Sequence, residues 1–393
     1  MRPLDGIVVV AVEQAVAAPI CTRHLGDLGA RVVKIESIKG GDFARDYDEV
    51  VLGQSAYFVW ANRNKESVAL DLKHPSGQEA IRRLITKADV LVQNLAPGAA
   101  SRLGLDPDAI RARHPGLITV DISGYGRGGP YAERRAYDLL VQSEAGSCAI
   151  TGTAGHPAKP GIPIADIGAG MYALSAVLTA LYTRERTGEG AAISIGLFDV
   201  VAEWMGYALY HADYGGTDLE PLGVGSPAVA PYGAFQTADG QTLVLGTTND
   251  REWRRLATDV LGRPDLADDP RYATNSDRVA RRAQVHTEIA GWASRRTLDE
   301  CREAAESAGL GHARLNRPTE VLTHPQLTER DRWMEFGSPA GPVRGLRPPI
   351  ESDDWEWNTI PVPYLGEHTE AVLRELGFNG DDLARMRADG VIP

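Results

Sequence analysis

The sequence predicts an α/β protein: a parallel, doubly wound sheet forms a large domain, and a smaller α+β domain follows it. Three observations carry this. GIVVVAV (Gly6 to Val12) is an unbroken apolar, β-branched run of the kind that forms a strand buried on both faces. Helix-like and strand-like stretches then alternate up to about residue 124. Near residue 225 the texture changes to Gly, Pro and hairpin signals, then to polar helices.

Taken in order, PICTRHLGDLGA (Pro19 to Ala30) reads as a helix, with Pro near its start and Gly near its end. RVVKIE (Arg31 to Glu36) is a second strand, completing a βαβ unit of about thirty residues. SVALDL (Ser67 to Leu72) reads as a strand. PSGQEAIRRLITKAD reads as a helix whose apolar side includes Ala80, Ile81, Leu84 and Ile85. VLVQNL (Val90 to Leu95) and LITVDISG (Leu117 to Gly124) are further strands. Ala238-Asp239-Gly240 between two strand-like runs signals a hairpin, and polar helices run from Arg251 to about Gly309. The expected domains are 1–224, 225–330, and a return to the large domain over 331–393, where PVPYLGEHTEAVLRELGF supplies a Pro-rich arm and a packing helix.

Composition narrows the function. At 393 residues the chain allows two to three domains, and 43% hydrophobic with 24% charged residues is ordinary for a globular protein. A net charge of -12 argues against a nucleic-acid surface; a polyanionic small ligand would need a local basic pocket. Cys21, Cys148 and Cys301 are far apart and form no CxxC or Cys/His cluster, so no disulfide framework and no metal site is expected. The N-terminal apolar run is short and carries Glu13, unlike a signal peptide. A buried core helix and a cytoplasmic enzyme, with no membrane partner, are expected. The βαβ opening invites a dinucleotide, but EQAVAAP (Glu13 to Pro19) lacks the glycines that admit a pyrophosphate. Glu36 stands where a ribose-binding acid would, although such a lone Glu is more often a solvated strand end.

One carboxylate stands out. In GIPIADIGAGMYALSAVLTALYTRERTGEG, Asp166 precedes seventeen uncharged residues. One reading is an N-cap, since Asp is among the best capping residues and the stretch ends in basic residues and Gly188. The other is a nucleophile. GIPIA would put Asp166 at an apolar junction, Gly168-Ala169-Gly170 would leave space on the first turn, and a helix N-terminus favours an anion.

Across nearly the whole length the chain resembles the family III CoA-transferases, the CaiB/BaiF family that includes formyl-CoA transferase. The matching stretches include PLDGIVVV, AAPICTRHLGDLGARVVKIES, GGDFAR, NRNKESVALDLKHPSGQE, ADVLVQNLAPGAASRLGL, ISGYGRGGPY, YDLLVQSEAG, RERTGEG and LGEHTEAVLRELG. Their order and spacing are more specific than any one of them. The resemblance implies a Rossmann-like large domain, an interlocked homodimer, and coenzyme A as co-substrate with no permanently bound cofactor. The partners it implies are an acyl-CoA and a carboxylic acid. Asp166 matches the family's nucleophile, which forms an aspartyl anhydride and then an aspartyl-CoA thioester. Ala15, Val16, Ala17 and Ala18 match the loop lining the CoA thiol arm; formyl-CoA transferase has a functional glutamine where this chain has Val16. Arg102, Leu103 and Arg135 match CoA contacts, as does Lys39 more loosely. Tyr137 matches the nearby tyrosine of the family motif, and Asp138 is expected as a hydrogen-bonding neighbour of the site.

Two departures bear on substrate. The related α-methylacyl-CoA racemases use a histidine before an aspartate in a GHD segment, whereas here Tyr137 precedes Asp138, and a phenol is a poor proton shuttle near neutral pH. The glycine-rich loop of formyl-CoA transferase is absent; the nearest cluster is PLGVGSP (Pro221 to Pro227), which argues against oxalate and formate. The expected function is acyl-CoA:carboxylate CoA transfer on short dicarboxylates, with succinyl-CoA as donor and itaconate, mesaconate or citramalate as acceptor. The alternatives are a racemase and a non-catalytic CoA-binding homologue. Candidate partners for the acceptor's second carboxylate are Arg45, His312 and Arg314. Against them, Arg45 could pair with Asp42 or Asp46, and GHAR could be a turn.

Overall fold

A computed structural model describes residues 1–393 as two compact units. The first comprises Met1–Gly146, Pro160–Gly206 and Asp331–Pro393; the second comprises Ser147–Lys159 and Tyr207–Arg330. The second unit thus starts before the expected residue 225 and takes in an earlier excursion. The reason is a pairing that sequence hides. Thr153 bridges Leu222, and the Gly223 N–H donates to the Gly152 carbonyl at 2.5 Å, so 207–224 is tied to a hairpin with only two residues per strand.

In the first unit six strands form one sheet: β1 (Val8–Val12), β2 (Arg31–Glu36), β3 (Lys65–Ala69), β4 (Val90–Gln93), β5 (Ile118–Ser123) and β6 (Ala192–Gly196). Their order is β3-β2-β1-β4-β5-β6 and every pair is parallel. This is the doubly wound order whose direction of winding reverses between β1 and β4. Strand β3 begins two residues before the apolar run suggests, because Lys65 and Glu66 belong to it. Strand β6 has alternating exposure at the sheet edge and no continuous apolar run, so the apolar pattern does not mark it as a strand.

Helix α1 (Ala17–Asp27) starts two residues before Pro19, which sits in its first turn, where a missing N–H costs no intrahelical bond. Further helices are α2 (Ala56–Asn62), α3 (Pro75–Ile85), α4 (Asp138–Glu144), α5 (Ile164–Thr187) and α6 (Leu197–Trp204). On one side of the sheet, Val10, Val33, Val68 and Leu91 pack with Ile81 and Leu84 of α3. The returning C-terminus adds to that same cluster: Val372 and Leu373 of the helix Thr369–Glu375, and Leu383 and Met386 of the helix Gly380–Ala388. Each such fully buried side chain contributes roughly 1.5–3 kcal/mol.

Helix α5 is long and apolar enough, by length and composition, to cross a membrane, but half of its apolar window is buried in the protein. It packs on α1 and α6 through glycines. A Cβ on Gly170 would lie 2.5 Å from the Ala17 carbonyl oxygen, and one on Gly168 would lie 2.5 Å from the Trp204 ring. The expected open space on the first turn is therefore filled: these glycines allow close helix approach.

In the second unit, Tyr232–Gln236 and Thr242–Gly246 form the expected hairpin around Gly240, which is left-handed at φ 74. A third strand, Gly311–Arg314, pairs antiparallel with Thr242–Gly246, so GHAR is a strand and not a turn. Phe235, Leu243 and Leu245 pack with Trp253, Ile289 and Leu298 from the polar-faced helices.

Candidate functional site

The nucleophile candidate sits on the first turn of α5. The N-cap is Pro163, which offers no capping side chain, and Asp166 is the third helical residue. The capping reading of Asp166 is thereby overturned. The cap comes from another helix instead: Asp138, the first residue of α4, accepts from the Ala165 N–H at 3.0 Å and lies 3.5 Å from the Asp166 nitrogen. Its other oxygen accepts from Gln142 Nε2 at 2.7 Å. Asp166 is half-buried and Ile162 is exposed, so the junction is open on one side within this chain. Two carboxylates thus share the positive end of one helix dipole.

Residues four apart share a helix face. Asp166 therefore lies on the Gly170 face of α5, against which the Ala17 carbonyl sits. This brings the loop Ala15–Ala17 beside the nucleophile candidate. Val16 is turned inward and packs with Ile20 and Ala61. Ala15 has a left-handed φ of 61, and its N–H donates to Asp42 Oδ1 at 3.0 Å. The preceding residue is held twice: Gln14 N–H donates to Asn94 Oδ1, and Asn94 Nδ2 donates to the Gln14 carbonyl, both at 2.8 Å.

Beneath the loop is a buried charge cluster that sequence reading missed. Lys34 Nζ is 2.8 Å from Asp42 Oδ2 and 3.4 Å from Glu13 Oε1, and Lys65 Nζ is 2.6 Å from the same Glu13 oxygen. Thr22 Oγ1 donates to Glu13 Oε2 at 2.7 Å. Burial pushes the Glu13 carboxyl up, but Lys65 and Lys34 outweigh it and hold the group below its ordinary range. Burial brings Lys65 down to about 8, against the pull of Glu13. The only signal in sequence was charge inside otherwise apolar strands, RVVKIE and KESVA.

At the carboxyl ends of β1 to β3 lies a cavity of about 290 Å³, lined in part by Gln14, Glu36, Lys39, Lys73, Leu95 and Leu103. Open α/β sheets bind ligands in the crevice at this end. Lys39 and Lys73 are exposed there, and neither forms an ion pair.

The model of CoA-transferase family III matches residues 4–369. The chain belongs to CoA-transferase family III. It is a CoA-transferase, with coenzyme A as co-substrate and not as a permanently bound cofactor. A succinate–glutarate CoA-transferase of Agrobacterium fabrum is 37% identical, over 95% of this chain and 96% of its own. A succinyl-CoA–D-citramalate CoA-transferase of Chloroflexus aurantiacus is 32% identical over 100% and 98%. An acetyl-CoA:oxalate CoA-transferase of Acetobacter aceti is 34% identical over 95% and 95%. The crystal structure of a CaiB/BaiF family protein from Brucella suis superposes with a TM-score of 0.82 at 34% identity, covering 95% of this chain and 99% of that one.

Within this family III chain the remaining candidates fall into three groups. Arg102 closes the short helix Ala99–Arg102, and Arg135 lies in the loop before α4; both are exposed and neither pairs with a carboxylate. Tyr137 is the α4 N-cap and is 61% exposed.

Arg45 is corrected. Its guanidinium grips Glu36 with both arms, at 2.9 and 2.8 Å, and stacks 3.8 Å over the Phe58 ring. The partner is Glu36, not Asp42 or Asp46, and the fork has no free face for a substrate carboxylate. The same contacts remove Glu36 as a ribose ligand or a solvated strand end: it is buried and also accepts from Ser67 Oγ at 2.6 Å.

In the second unit, His312 lies with Nε2 3.6 Å from Glu306 and Nδ1 3.1 Å from the Leu310 carbonyl. Arg314 is paired with Glu320 at 2.5 Å and Gln241 at 3.1 Å.

Tyr47 was overlooked. Burial raises its phenol to about 12, helped by the charges of Asp42 and Asp166 and by the Tyr137 and Tyr57 hydroxyls. It stands in the electrical neighbourhood of the nucleophile candidate, two residues after GGDFAR.

Proposed function

We propose that the chain is an acyl-CoA:carboxylate CoA-transferase for short dicarboxylates, working through covalent Asp166. The supporting observation is the setting of Asp166: first turn of a core helix, dipole-favoured, with the Ala15–Ala17 loop on the same face. Its carboxylate oxygen attacks the thioester carbonyl, and the C–S bond breaks to release CoA thiolate and leave a mixed anhydride. The thiolate then attacks the Asp166 acyl carbon, releasing the donor acid and leaving aspartyl-CoA. The acceptor carboxylate repeats the two steps in reverse and restores Asp166. Every intermediate stays an activated acyl group, so a dry setting is required.

Succinyl-CoA is the proposed donor, and a C4–C5 dicarboxylate such as glutarate, itaconate, mesaconate or citramalate is the proposed acceptor. The names of the Agrobacterium and Chloroflexus relatives support this. The Acetobacter relative keeps oxalate in the panel despite the absent glycine loop. Lys39, Arg102 and Arg135 are proposed CoA phosphate contacts, because a polyanion on a chain of net charge -12 needs local unpaired cations. We also propose a homodimer in the cytoplasm. Helix α5 keeps Met171, Leu178 and Tyr182 exposed on a core element, and such a face calls for a partner.

The deciding experiment is Asp166→Asn with hydroxylamine trapping. Wild type incubated with succinyl-CoA should give a hydroxamate at Asp166. The variant should keep its fold and CoA affinity and lose transfer. Ordinary turnover in the variant would remove the covalent reading.

A further inference from the structure

The charges Glu13, Lys34, Asp42 and Lys65 are each at most 2% exposed, and none of them takes a step in acyl transfer. A buried ion cluster is weak evidence for stability by itself, so its presence under this loop asks for another reason. Ala15 supplies one. It holds a left-handed φ of 61, where a Cβ is unfavourable and glycine is the usual occupant. Something must hold it there. Asp42 Oδ1 accepts from the Ala15 N–H at 3.0 Å and from the Ala44 N–H at 2.9 Å, while Oδ2 takes Lys34 Nζ at 2.8 Å. The Asp42 N–H itself donates to Glu36 Oε2 at 3.0 Å. With both oxygens and its own amide engaged, the acceptor cannot rotate away.

We infer that Asp42 is a positioning residue, clamping Ala15 in the left-handed conformation and so setting the Ala15–Ala17 loop against the Asp166 face of α5. This rests on the reading of Asp166 as nucleophile. The mechanical link is short. Two residues beyond the clamp, the Ala17 carbonyl fills the place of a Cβ on Gly170, one turn from Asp166. Two residues before the clamp, Lys34 and Lys65 hold Glu13, so the strand that leads into the loop is anchored as well.

The test uses two neutral double variants that leave no unpaired lysine. Lys34→Met/Asp42→Asn keeps an acceptor for the Ala15 N–H; Lys34→Met/Asp42→Ala does not. With succinyl-CoA and glutarate, the Asn double should hold kcat within about threefold of wild type. The Ala double should fall about 100-fold, the scale of a misplaced reacting group, at a similar Tm. Adding Ala15→Gly to the Ala double should recover at least about tenfold, because glycine adopts the conformation unaided. A purely structural role would give no such rescue.

Equal kcat in the two doubles, or no recovery in a folded triple variant, overturns the inference. Should the Ala double not fold, Ala15→Gly in the wild type decides. A clamped, strained alanine predicts a higher Tm, and an unchanged or lower Tm overturns it. Asp166→Asn in the same assay separates the failures: if it stays active, the nucleophile reading falls; if it is dead while the doubles match, only the clamp falls.

Discussion

At the scale of single residues, the chain separates charges that are spent from charges that are available. Arg45 is spent on Glu36, whereas Arg102 and Arg135 reach solvent without a carboxylate partner. Arg102→Ala and Arg135→Ala should therefore raise KM for acyl-CoA by about 10- to 100-fold, the worth of one charge-assisted bond of roughly 1.5–3 kcal/mol, with little change in KM for the acceptor acid. Steady-state kinetics varying each substrate in turn would check this, and equal shifts in both constants would count against CoA recognition. Glu36 makes the opposite case. Burial alone would raise its carboxyl, but Arg45, Lys34 and Ser67 bring it from 4.5 to about 2. A depressed folded-state value means that the unfolded chain binds the proton more readily. The stabilisation is complete above about pH 4.5 and is lost as pH falls toward 2. Glu36→Gln should cost about 3–5 kcal/mol by leaving Arg45 uncompensated. Acid titration of stability should show a shallower slope for the variant between those two values.

At the scale of elements, α5 is the part whose position matters most. Its two early glycines are contact points. Gly170→Ala would push a Cβ into a backbone carbonyl that cannot swing aside, and Gly168→Ala would meet the Trp204 ring. Each should cost roughly 1–3 kcal/mol of stability. Gly170→Ala should also lower kcat, because the element it displaces carries the Ala15–Ala17 loop. Gly161→Ala, where nothing lies within 4 Å, is the control and should leave Tm and turnover unchanged. Thermal melts and transfer rates on the three variants would decide; a silent Gly170→Ala would show that the α1–α5 approach is not critical.

At the scale of the whole molecule, substrate choice and assembly each give a direct experimental readout. A panel of acceptors against succinyl-CoA, read by mass spectrometry, should rank glutarate and other C4–C5 dicarboxylates far above butyrate, because a site built for a second carboxylate leaves its partner unpaired with a monoacid. Equal rates for glutarate and butyrate would remove the dicarboxylate reading and leave the transferase untouched. Incubating the enzyme with a chiral 2-methylacyl-CoA in deuterated water should give no α-deuterium exchange, since Tyr137 stands before Asp138; rapid exchange would restore a racemase. Light scattering should give twice the mass of one 42.3 kDa chain.

The sequence by itself determined the parallel sheet, because strands buried on both faces are mostly apolar and leave a local record in GIVVVAV, RVVKIE and VLVQNL, even where a buried charge such as Lys34 interrupts one. It also singled out Asp166, a charge isolated at the head of an apolar stretch, and the hairpin at Gly240. It left open whether Asp166 was a cap, because capping is a matter of which backbone amide a side chain reaches. Only the tertiary structure decided that Asp138, 28 residues away in the chain, reaches the α5 amides instead. The same holds for Arg45 with Glu36, for the lysines that close on Glu13, and for the hairpin that draws 147–159 into the second unit. Each is a pairing made in three dimensions, nine residues apart for Arg45 and Glu36 and farther for the rest, and a linear pattern records the need for a partner but not which partner answers it.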